Sequence, residues 1–177
     1  HSFPTRRSSD LASPADWLSQ ILEHHEQIEA AFAALRSASG EPARRQAQKR
    51  LGALLTGHSM AEETVIYPAL AQAGKKMDAN TAYTEQAAAK MQMAALEHLD
   101  PLSEDYLDKL GHLQGAVATH VYQEESDWFL DLKNNAPEAD QAMASQRYAE
   151  EFGRYMGNEK SAGGQVSAEP RSFEARP

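Results

Sequence analysis

Apolar residues return at three- and four-residue intervals along most of this chain, and the pattern divides it into four long amphipathic stretches. In the first, Leu18, Ile21, Ile28, Phe32 and Leu35 share one helical face. Ser13, Pro14 and Asp16 ahead of it supply a capping hydroxyl, a first-turn proline and an acid near the positive end of the dipole, so a helix is expected to run to about Ser37. Gly40 and Pro42 mark the turn into a second helix with Leu51, Leu55 and Val65 on one stripe. Pro68 falls inside that pattern and should kink the helix or loosen its last turns near Tyr67. A third helix, from Asn80 or Thr81 to before Pro101, places Ala82, Ala89, Met93 and Leu96 inward. Ser103 can cap a fourth, carrying Leu110, Leu113, Val117 and Trp128 and ending at Asn134, Asn135 and Pro137. Met91, Met93, Trp128 and Phe129 read as packing residues. A further helix is expected from about Pro137 to Met156, and no stretch has strand periodicity. The short connections predict antiparallel neighbours, hence an all-α, up-down antiparallel four-helix bundle over 12–135, an additional C-terminal helix over 136–158 and a disordered tail over 159–177.

Polar residues interrupt every stripe at a corresponding height. His25 stands between Ile21 and Ile28, His58 and Glu62 between Leu55 and Val65, Gln86 between Ala82 and Ala89, and His120 and Glu124 between Val117 and Trp128. Two of these interruptions are copies of H-x-x-x-E-E, His58 to Glu63 and His120 to Glu125. Residues four apart on a helix are rotated by only about 40° and raised by about 6 Å, so each His and the Glu four positions on can aim at one cation. Glu63 and Glu125, about 100° further round, are expected to be solvated or to stand behind the ligands. A single histidine on an apolar stripe is more often a hydrogen-bonded core residue than a ligand, and a single H-x-x-x-E is more often a surface ion pair. Three histidines and two carboxylates at core positions reverse that balance. An unpaired buried ion costs several kcal/mol, roughly, against a total domain stability of about 5 to 15 kcal/mol, so bound cations are the expected counter-charge.

Composition narrows the chemistry. Cysteine is absent, which excludes disulfides, thiolate metal sites and thiol nucleophiles and leaves imidazole and carboxylate, ligands that suit iron, manganese or zinc. A net charge of -9 argues against a nucleic-acid backbone as partner. No apolar run is long enough to cross a bilayer, so no membrane association and a soluble, cytoplasmic protein are expected. Residues 1–11, HSFPTRRSSDL, read like a translated sequencing adapter and are set apart from the fold.

Together, Glu23-His24-His25, HSMAEETVIYPAL and HVYQEESDWFLDL resemble the hemerythrin HHE cation-binding family, over about Trp17 to Leu132. The resemblance implies a non-haem iron site, often di-iron, that binds or reacts with oxygen, peroxide or nitric oxide, or senses iron, with His25, His58, Glu62, His120 and Glu124 as ligands. The family usually has a histidine where this chain has Gln86, which can coordinate weakly through its amide oxygen, hold a water or leave a position open. His24, Glu85, Tyr67 and Tyr122 are candidate supporting or replacement groups, and His98 and His112 are expected at the surface. The expected role is sensing, storage or detoxification of iron, oxygen-derived species or nitric oxide. The alternatives are a di-iron carboxylate enzyme with ferroxidase or peroxidase activity, and a helical interaction module with a degenerate site.

Overall fold

The structure, a computed structural model, describes residues 15–162, with side chains described to residue 157. The expected adapter segment, the Ser13 cap and most of the expected disordered tail lie outside these residues. Helix α1 (Trp17–Ser37) is capped by Asp16, whose carboxylate accepts from the backbone N–H groups of Leu18 and Ser19 at 3.1 and 3.3 Å. The acid expected inside the first turn is thus the cap itself, because one of its oxygens satisfies two N–H groups that have no intrahelical partner, while the other accepts from the Ser19 hydroxyl. Helix α2 (Glu41–Ala61) starts after Gly40, whose φ of 80° is the left-handed geometry that favours glycine, and has proline in its first turn.

From Ala61 the second rod continues through a π-helical turn (Glu62–Ile66) into α3 (Tyr67–Gln72). The disturbance expected near Tyr67 is therefore a widened turn. Proline is not required for it, since the fourth rod does the same without one: α5 (Glu104–Gln123), a second π turn (Glu124–Trp128) and α6 (Phe129–Asn135). Between them runs α4 (Lys76–Leu96), which begins a turn earlier than expected. Gly74, with φ 93°, ends α3, and Lys75 alone separates it from α4, so this helix starts without the side-chain cap that would have announced it. Helix α7 (Glu138–Ala162) outruns its expected end and packs along α1 and α2. No strand occurs among the described residues.

The core is split into three levels. Trp17, Ile21, Ile66, Leu70, Trp128 and Phe129 form one oily end, and Ile28, Phe32, Leu51, Tyr106, Leu110 and Leu113 the other. Between them lies a buried polar layer of His24, His25, His58, Glu62, Gln86, His120 and Glu124. Met93 packs against the second cluster, but Met91 is 75% exposed. Residues two apart are about 200° apart on a helix, so the two methionines cannot both face inward.

Candidate metal centre

Every rod delivers one or two side chains to the polar layer, and the two π turns decide what else arrives. Glu62 and Glu124 each open a π turn and are completely buried. His25, His58, Glu62 and Glu124 offer ligand atoms that all lie within 4.8 Å of one another. His58 Nε2 is 3.2 Å from Glu62 Oε2, and His25 Nε2 is 3.3 Å from Glu124 Oε2. The other oxygen of Glu124, Oε1, lies 3.0 Å from His120 Nε2. Glu124 therefore spans the layer, one oxygen toward His25 and one toward His120, which is the disposition a bridging carboxylate needs.

On the His120 side the hydroxyl of Tyr67 sits 2.7 Å from Glu124 Oε1, 3.1 Å from Glu62 Oε2 and 3.1 Å from His120 Nε2. Gln86 turns its amide nitrogen to Glu62 Oε2 at 2.6 Å and to the Tyr67 hydroxyl, while its amide oxygen is buried without a partner. Rotating that amide by 180° would turn its oxygen into the layer, toward Glu62 Oε2 and the Tyr67 hydroxyl, where it could also face a cation. His25 Nε2, Glu62 Oε1 and Glu124 Oε2 are also buried with no hydrogen-bond partner. Buried polar atoms are normally paired, so four orphans converging on one layer fit an absent positive ion.

Each of the three sequence-predicted histidines is gripped from behind. His25 Nδ1 lies 2.7 Å from Glu125 Oε1, His120 Nδ1 2.7 Å from Glu85 Oε2, and His58 Nδ1 3.1 Å from the hydroxyl of Tyr148 on α7. An imidazole held at Nδ1 presents its Nε2 lone pair, the arrangement that metal-bound histidines almost always show. The remaining copy of the second glutamate, Glu63, pairs with Lys90.

Electrostatics sorts the two carboxylates. Burial, then the charge of Glu124, pushes the Glu62 carboxyl well above its usual range. Burial would raise Glu124 too, but the hydrogen bond from His120, the close approach of His25 and the charge of His120 and His58 outweigh it and hold Glu124 low. Burial and the neighbouring His25 keep His58 well below the ordinary imidazole value, while in His120 the bonds to Glu124 and Glu85 overcome burial and raise it. Tyr67 is raised well above 10 by burial and the two carboxylates, so its hydroxyl keeps its proton. One carboxylate neutral and one charged is what a crowded, cation-free pair must adopt.

All six expected residues thus meet in one layer. Of the supporting candidates, Glu85, Tyr67 and His24 are there, while Tyr122 is 71% exposed and His98 and His112 face solvent. Tyr148 was not foreseen. Its signal is the three- and four-residue spacing of Ser145, Tyr148 and Phe152, which reads as packing.

Comparison with known proteins bears on the family and the fold. The chain is 33% identical over 81 residues, 46% of its length, to a DNA nickase of Nostoc sp. (strain PCC 7120 / SAG 25.82 / UTEX 2576), but spans only 23% of that protein. The crystal structure of a hemerythrin HHE cation binding domain-containing protein from Mycobacterium kansasii matches with a TM-score of 0.70 and 20% identity, covering 86% of this chain and 94% of that one. At that identity the likeness is one of fold. A model of the hemerythrin HHE cation binding domain matches residues 18–131, well over half of the sequence, and the chain therefore belongs to the hemerythrin HHE cation-binding family.

Proposed function

We propose that the polar layer holds two iron ions and that the protein acts in sensing, storing or detoxifying iron, oxygen-derived species or nitric oxide. One ion would be held by His25 and His58 with Glu62 and Glu124, the other by His120 with Glu124, Glu62, Tyr67 and Gln86. The observation that carries this reading is the placement of Glu124, whose oxygens lie 3.3 and 3.0 Å from histidines on opposite sides of it. A donor set of imidazole and carboxylate without sulfur suits iron, and also manganese or zinc. Bound iron would supply redox chemistry and affinity for oxygen, peroxide or nitric oxide. The protein's part is to fix the donors, exclude bulk water and limit what reaches them.

A cavity of about 30 Å³ beside His58, Gln86 and His120, walled by Ala89 and Val117, has room for one small molecule. That size, with the weak amide donor of Gln86 where an imidazole would bind firmly, supports a small ligand exchanging at this position. It also favours the second reading, a di-iron carboxylate enzyme that consumes peroxide or ferrous iron. The net charge of -9 supports small ligands over a nucleic-acid backbone as partners. No helix among the described residues is long and apolar enough to cross a membrane.

Anaerobic titration with ferrous iron followed by metal analysis tests the proposal. About two ions per chain are expected, with His58→Ala and Glu124→Ala each losing at least one. Equal metal content in wild type and both variants would overturn it. Multiple turnovers of peroxide per chain would establish the enzyme reading; a single stoichiometric reaction would establish binding.

A further inference from the structure

The gripping partners of the three histidines are not equivalent. Glu125 and Glu85 are carboxylates, and an ionised carboxylate only accepts, so each forces a proton onto the Nδ1 it faces. His58 faces a hydroxyl instead, and a hydroxyl can donate as well as accept. With the proton on Nδ1, His58 presents a lone pair at Nε2. With the proton on Nε2, it would donate to Glu62 Oε2, 3.2 Å away, and offer a cation nothing.

What can settle the choice is the second contact of the same hydroxyl. Tyr148 lies 2.9 Å from Nδ1 of His24, which is buried and stacked on Phe152 with ring centroids 3.7 Å apart and planes 22° apart. A phenol has one proton. If that proton goes to His24 Nδ1, the oxygen is left to accept from His58 Nδ1–H, and Nε2 of His58 is free for a metal.

On the reading that this layer binds metal, we propose that Tyr148 is a positioning residue for the centre: with His24 as acceptor, its hydroxyl holds His58 in the tautomer whose Nε2 faces the ion. The partner that orients His58 is then supplied by α7, which lies beyond residues 18–131, the part matched to the family. Removing an equivalent partner of a metal-bound imidazole typically weakens metal binding by about 10- to 100-fold.

Zinc, which is diamagnetic, allows the whole chain to be tested by NMR and by competition titration. In the zinc-loaded wild type, long-range proton–nitrogen correlations are expected to show His58 protonated at Nδ1. Tyr148→Phe keeps the buried ring and is expected to weaken zinc binding by about 10- to 100-fold at unchanged helicity. His24→Phe, which keeps the stacking on Phe152, should weaken it by less. A zinc-loaded His58 protonated at Nε2, or a Tyr148→Phe protein with wild-type affinity, would overturn the positioning role. If Tyr148→Phe fails to fold, the His58 tautomer of the metal-free wild type decides alone, since bound zinc would itself put the proton on Nδ1: protonation at Nδ1 supports the role and protonation at Nε2 overturns it. A wild type that binds no zinc, cobalt or iron would instead overturn the metal reading beneath it.

Discussion

The hydroxyl of Tyr67 is closely surrounded by polar groups, with Glu62, Glu124, His120 and Gln86 all around it. It donates to Glu124, so its loss leaves that buried carboxylate with one donor fewer. Tyr67→Phe is expected to cost the metal-free protein about 1 to 3 kcal/mol in urea unfolding. Titration of the buried histidines sets a second expectation at this scale. Burial, with the charge of the adjacent His25, lowers His24 from the ordinary 6.5 to about 4, and His58 is lowered too. Between those values the unfolded chain binds more protons than the folded one, so stability falls as pH drops from about 6.5 toward 4 and levels off for His24 below that. His24→Gln should flatten part of that slope in pH-dependent urea denaturation. The six candidate ligands were legible in sequence because each breaks an apolar stripe where no polar residue belongs. Tyr67 and Tyr148 were less so, since an aromatic on such a stripe reads as packing whether or not its hydroxyl finds a buried partner.

At the scale of elements, the rods and their order follow from periodicity, but the two π turns do not, because both break the 3.6-residue period on which the reading rests. Their effect is specific. In an unbroken α-helix Tyr67, five residues after Glu62, would sit about 140° round from it. The wider turn, in which the Tyr67 N–H bonds to the Glu62 carbonyl, brings it back over Glu62 and into the metal layer. The Glu124 turn brings the Phe129 N–H to the Glu124 carbonyl in the same way, and Phe129 joins the core there. A π turn also disturbs the carbonyl ladder, and the Tyr83 hydroxyl donates to the Glu63 carbonyl at 2.8 Å. Tyr83→Phe should therefore lower stability by about 1 kcal/mol, read by thermal melting, without changing metal stoichiometry. The late start assigned to α4 has a plainer cause: the helix begins after Lys75 with no side-chain cap to mark its first turn.

Taken whole, the molecule is two apolar blocks separated by a layer that stays short of positive charge until cations arrive. Metal that binds only the folded chain stabilises it by about 2.7 kcal/mol at one hundred times its dissociation constant, so stripping it with a chelator should lower the melting temperature by roughly 5 to 10 °C. An unchanged melting temperature would mean that the layer is equally content without cations. The fifth helix closes one side of this layer, and it does so at close quarters. A Cβ placed on Gly57 of α2 would lie 3.4 Å from Met156 Sδ and 3.5 Å from the Phe152 ring, both on α7. Gly57 is thus the fulcrum of the lid: alanine there fits as ordinary contact, whereas Gly57→Leu would lever the last helix outward. The grip on the histidines would loosen from the far side, and the ions would escape faster although every atom that faces them had been left as it was.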